Sequence, residues 1–163
     1  MKEYFDDDLI FEGEYLNGKR NGKGKEYYNK GNLEFEGEYL NGKRWNGKGY
    51  DNGKVIAYEI KDGKGFVREF YNNIFDYYKF QGEYLNGERN GNGKEYYDGG
   101  GKLKFEGEYL KGKKYNGKGY DENKNIIYEL KNGKGYIKEY NDNGYLEYEG
   151  EYLNGERNGK GKE

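Results

Sequence analysis

The segment F-E-G-E-Y-L-N-G-K-R-N-G-K-G-K-E at Phe11–Glu26 returns along the chain, with near-copies beginning at Phe35, Phe80, Phe105 and Tyr148. A unit of about 23 residues cannot bury a core alone, because an isolated hairpin is marginal in water. Such units must stack and share a core, so the chain is an array. Arrays work through an extended surface more readily than through one catalytic pocket.

Within a unit, F-E-G-E-Y alternates apolar or small residues with charged ones, which is strand and not helix periodicity. Asn17-Gly18 and its counterparts supply a hairpin turn with positive φ. A second strand, G-K-G-K-E-Y-Y, follows. Side-chain parity then places Phe11, Gly13, Tyr15, Gly22, Gly24 and Tyr28 on one packed face. Glu12, Glu14, Lys23 and Lys25 fall on the other, where Glu–Lys pairs cross the hairpin at about 0.2–1 kcal/mol each. A register that set Glu beside Phe would lose both arrangements. The glycines leave room for an aromatic ring to lie over bare backbone.

The units follow a higher order. Phe11 to Phe80 is 69 residues, Phe35 to Phe105 is 70, and Phe80 to Tyr148 is 68. Each trio holds a full unit, a unit with one inserted aromatic (Trp45 or Tyr115), and a short unit starting near Tyr58 or Tyr128. The short units, Tyr58–Gly65 and Tyr128–Gly135, read as having lost the first Gly and the first turn. The expectation is all-β: one elongated, twisted solenoid of stacked antiparallel hairpins over residues 1–163. Residues 1–10 form a half-unit cap, and changes of twist are expected near 55–80 and 125–147.

The 30 Gly fall at fixed phase, and 22 Tyr make up for a low aliphatic content, so the chain reads as ordered. With no Cys or His, the commonest nucleophile and general base are missing. Glu12 and Glu14 recur in the full units as a solvated strand face. Asp6-Asp7-Asp8 lacks the spaced ligands of a calcium loop, and G-K-G lacks the rest of a phosphate loop. No catalytic residue, metal site or cofactor is expected. Balanced charge, 29 basic against 31 acidic residues, argues against a nucleic-acid partner. No signal-like or membrane-spanning stretch is present, so a cytoplasmic protein is expected, membrane- or cytoskeleton-associated only through partners.

The units resemble the MORN-repeat family, whose pattern is similar to Y-x-G-x-(W/Y)-x-x-G-x-x-x-G-x-G. Phe11, Gly13, Tyr15, Gly22 and Gly24 fall on it, as do Phe80, Gly82 and Tyr84, and Tyr148, Gly150 and Tyr152. Phe35, Gly37 and Tyr39, and Phe105, Gly107 and Tyr109, match up to the inserted aromatic. The K-E-Y-Y-x-x-G-x-L-x-F-E-G-E-Y segments also look like a bacterial antitoxin-type variant of the repeat. The resemblance implies a non-catalytic scaffold or protein-interaction module, with a protein partner. Phospholipid binding and a toxin-masking role are the alternatives it raises. Anionic lipid is disfavoured because Lys23, Lys25, Lys43, Lys48, Lys94, Lys113 and Lys118 are expected to pair with Glu. Trp45 and Tyr115 are the candidate interaction residues; packing on a neighbouring turn, with the extra residue bulged, is the other reading. The terminal strand edges could also pair between molecules.

Overall fold

The structure, a computed structural model, describes residues 1–28, 31–51, 53–71, 77–99, 101–141 and 144–162, with the side chains of 160 and 162 left out. It is all-β and antiparallel, and no helix occurs among the described residues. The chain forms two compact units: Met1–Asp76 with Tyr84–Glu88, and Tyr77–Glu83 with Arg89–Glu163.

In the first unit, β1 (Lys2–Phe5), β2 (Asp8–Leu16), β3 (Lys19–Tyr28), β4 (Asn32–Leu40), β5 (Lys43–Asp51) and β6 (Val55–Ile60) form one sheet in chain order. β7 (Gly65–Phe70) follows β6 across a turn. In the second unit β8 (Tyr78–Leu85), β9 (Glu88–Tyr96), β10 (Leu103–Leu110), β11 (Lys113–Tyr120) and β12 (Ile126–Leu130) are successive neighbours, β8 and β9 lending their turn-side ends to the first. β13 (Gly135–Tyr140), β14 (Leu146–Leu153) and β15 (Glu156–Lys162) make a three-stranded sheet. Sheet pairing stops between β6 and β7 and between β12 and β13, inside the stretches where a change of twist is expected. Residues 72–76 and 142–143 of those stretches lie outside the described residues.

The hairpin turns have positive φ at both central residues, as at Asn17 (50°) and Gly18 (75°), the geometry that matches strand twist. Lys111 holds the Asn position at φ 50°, although a lysine gains no local hydrogen bond there.

Register in the first unit resolves into rows that cross the strands. Lys2, Glu12, Lys25, Glu36, Lys48 and Glu59 stand opposite one another on the outer face, alternating in charge. Lys25 meets Glu36 at 3.1 Å and Lys48 meets Glu59 at 3.8 Å. On the inner face Gly13, Gly24, Gly37 and Gly47 are in line. The Phe11 ring fills the space their missing side chains leave: a Cβ on Gly24 would lie 2.6 Å from its Cζ. Phe11 and Phe35 are fully buried, and Tyr39 meets both edge-on at 5.1 and 5.6 Å. Phe80 and Phe105 are equally buried in the second unit, with Tyr109 edge-on to each at 5.2 and 5.6 Å.

Three details differ from the parity argument. Glu26 stands directly opposite both Phe11 and Phe35, on the inner face, as Glu3 stands opposite Phe11. A register with Glu beside Phe therefore exists, and the outer Glu–Lys row survives with it. Gly22 leaves the packed face: Asn21–Lys23 bulge opposite Glu14, and a Cβ on Gly22 would strike the Glu14 carboxylate. Gly91 stands in the same relation to Glu83. The short units also keep a turn. Asp62-Gly63 (φ 52° and 70°) and Asn132-Gly133 (51° and 71°) are complete hairpin turns, closed by the Lys61–Lys64 and Lys131–Lys134 bridges. What these units give up is the glycine row, since Ile60 faces Gly47 and Tyr58 covers Gly49.

Candidate functional site

Carboxylates on the inner face need cations, and the residue after each full turn provides them. Arg20 Nη1 lies 2.5 Å from Glu26, its Nη2 2.6 Å from Glu3, and its guanidinium sits 4.0 Å from the Phe11 ring centroid. Arg44 donates from Nε to Glu26, from Nη2 to Glu34 and from Nη1 to the Tyr58 hydroxyl, each at 2.7 Å. Tyr39 adds a 3.1 Å bond to Glu26. Burial pushes the Glu26 carboxyl up, but Arg44 and Arg20 outweigh it and hold the group below its ordinary value. Glu34 goes the other way. Burial raises it, Arg44 opposes, and the Glu26 charge raises it further.

The second unit repeats the scheme with different cations. Glu95 lies opposite Phe105 and pairs with Arg89 at 2.8 Å and Lys114 at 2.7 Å. These two overcome its burial and keep it ionised. Lys104 replaces Glu34 at the matching position, with its ammonium 4.9 Å from the Tyr97 ring centroid. The Tyr109 hydroxyl, counterpart of Tyr39, is buried without a partner among the described residues. Near the last hairpin, Glu139 faces Tyr148 and takes bonds from Arg157 and the Tyr152 hydroxyl. Tyr84 likewise donates to Glu69. This interior ladder was missed from sequence. Its signal is the basic residue at constant phase after the turn, Arg20, Arg44, Arg89, Lys114 and Arg157, two of whose partners, Glu26 and Glu95, lie just beyond the G-x-G-K.

A second ladder joins the turns. Six turn glycines donate their N–H to a carbonyl of the preceding turn region: Gly42 to Arg20, Gly63 to Trp45, Gly87 to Gly63, Gly112 to Arg89, Gly133 to Tyr115 and Gly155 to Gly133, at 2.7–2.9 Å. Repeat asparagines reinforce it. The Oδ1 atoms of Asn21, Asn46, Asn90 and Asn116 accept the N–H of Asn41, Asp62, Lys111 and Asn132.

Trp45 and Tyr115 enter this ladder as one-residue bulges, between Tyr39↔Arg44 and Glu38↔Asn46, and between Tyr109↔Lys114 and Glu108↔Asn116. The insertion slides the second strand. Gly37 now faces Gly47, the first glycine of its pair, and Gly49 takes the place opposite Phe35 that Glu26 takes opposite Phe11. Trp45 is half-buried, and a Cβ on Gly63 would lie 2.7 Å from its Cζ3, so the ring rests on the next turn. Its other side lines a groove of about 350 Å³ with Leu40, Gly22, Glu14 and Glu38. Gly82 and Gly107 have the carbon atoms of Gly93 and Gly117 at 2.6 Å from a notional Cβ, and Gly150 has Gly161 at 3.0 Å.

The MORN repeat profile matches residues 11–33, 80–102 and 148–163. Three segments of the chain therefore match the MORN repeat. The units lengthened by Trp45 and Tyr115 fall outside the three matched segments, as do the short units. A search of curated proteins finds no matching relative. Among the described residues no cluster of three or more acidic side chains could hold a metal ion, and no helix is long and apolar enough to cross a membrane.

Proposed function

We propose that this MORN array is a non-catalytic scaffold that binds a protein partner where the repeat departs from itself. The observation that carries the reading is the position of Trp45: a bulged aromatic, half-buried on one turn and open to a groove beside Leu40. Tyr115 holds the same bulge in the second unit. Elsewhere many charged residues are engaged with one another, inside through Arg20–Glu26–Arg44–Glu34 and outside through Lys–Glu pairs such as Lys25–Glu36 and Lys48–Glu59. That pairing supports a protein partner over an anionic lipid surface, which needs unopposed lysines.

The test is co-purification from the source lysate with the protein and its Trp45→Ala/Tyr115→Ala variant, alongside thermal melts of both. Lost capture with an intact melt supports the reading. Capture unchanged in a variant that melts normally moves the binding surface elsewhere.

A further inference from the structure

Leu-Asn-Gly-Lys-Arg occurs twice in the first unit, at residues 16–20 and 40–44. Both copies form the same turn, with φ of 50° and 75° at Asn17 and Gly18 and 52° and 87° at Asn41 and Gly42. All four residues are exposed. One feature separates them. The Gly42 N–H is held by the Arg20 carbonyl at 2.8 Å, and the Asn41 N–H by Asn21 Oδ1 at 3.2 Å. Among the described residues no acceptor meets the Gly18 N–H. β1 reaches β2 only as far as Met1 opposite Gly13, and the β1–β2 connection lies at the other end of the strands. Among the described residues no turn lies beside Asn17-Gly18.

We infer that Asn17 is a site of spontaneous covalent modification, its side-chain amide being attacked by the backbone nitrogen of Gly18. The Gly18 nitrogen loses its proton to solvent and forms a bond to Asn17 Cγ. The Cγ–Nδ2 bond breaks, and Nδ2 leaves as ammonia. The resulting five-membered imide is opened by water at either carbonyl, without change of oxidation state. Opening at Cγ gives aspartate in the normal backbone; opening at the backbone carbonyl gives isoaspartate, with one extra carbon in the chain. A held Gly N–H must break its hydrogen bond before the nitrogen can attack, so Gly42, Gly87, Gly133 and Gly155 are protected. The two products differ in consequence. Aspartate fits, since Asp62 occupies the same turn position at φ 52°. Isoaspartate lengthens a two-residue turn whose length fixes the register of β2 on β3.

The test is incubation of the folded protein at mildly alkaline pH, followed by peptide mapping that separates asparagine, aspartate and isoaspartate at each site. The structure predicts that Asn17 converts about threefold to tenfold faster than Asn41, the factor one hydrogen bond supplies. In strong denaturant, where the local sequences are identical, the ratio should fall to about one. Asn17→Asp should keep the fold and release no ammonia from that turn. Equal rates in the folded protein, faster conversion at Asn41, or a preference for Asn17 that persists in denaturant would each overturn the proposal.

Discussion

Arg44→Met removes the centre of the interior ladder while keeping much of the side chain's apolar bulk. Glu26 retains Arg20, but Glu34 loses the only cation it meets within 4 Å among the described residues, and the Tyr58 hydroxyl loses a donor. Breaking one side of a buried pair costs about 3–5 kcal/mol, because the remaining charge is stranded. The cost should depend on pH, with a sign fixed by Glu34. Its folded-state pKa already lies above its ordinary value through burial, against the pull of Arg44. Stability from such a group is present below its unfolded pKa and lost as pH rises through the folded one. Without Arg44 the folded pKa rises further. The variant should therefore gain on the parent as pH falls through that window, by up to about 1.4 kcal/mol per pH unit. Urea unfolding at pH 7 and pH 5 measures both quantities. Adding Glu34→Gln should recover part of the loss at pH 7 and flatten the pH dependence. A deficit under about 1 kcal/mol, or one equal at both pH values with Glu34 intact, would refute the stranded-charge reasoning.

Other perturbations test other layers. Tyr39→Phe should cost about 1 kcal/mol by deleting its bond to Glu26, whereas Tyr109→Phe, which removes a buried hydroxyl with no partner, should be neutral or stabilising; chemical denaturation of the two side by side separates them. Gly24→Val should destabilise by about 1–3 kcal/mol or more, since its side chain starts inside the Phe11 ring, and an unchanged melting temperature would exclude this packing. Lys111→Asn should stabilise by up to about 1 kcal/mol by placing the residue suited to positive φ in that turn. Tyrosine absorbance should show groups still protonated well above pH 10, among them Tyr27, pushed up to about 12 by burial and by its bond to Glu12, and Tyr97, also about 12, chiefly through burial.

Much of the fold is written in the repeat itself. Alternation, Asn-Gly and the paired glycines led to the hairpins, the turn geometry and the Glu–Lys rows, because each depends on neighbours in sequence or directly across one hairpin. Glu26 was hidden because its parity says inside while its charge says outside. The resolution comes from Arg44 on a different hairpin, 18 residues away. The short units misled for a related reason. K-D-G-K-G resembles the G-x-G strand, yet Asp62-Gly63 is held as a turn by the Trp45 carbonyl in the neighbouring hairpin. Trp45 and Tyr115 stood out as insertions, but the slide of register they cause shows only once Gly37 is seen opposite Gly47 and not Gly49.

The glycines of successive strands align across the sheet while Glu26 sits between two phenylalanines. Cross-strand nuclear Overhauser contacts measure this directly. This register predicts contacts linking Gly13 with Gly24, Gly24 with Gly37 and Gly37 with Gly47, together with Glu26 to Phe11 and Phe35. Contacts placing Gly24 opposite Glu36 or Glu38, with Glu26 facing solvent, would contradict it.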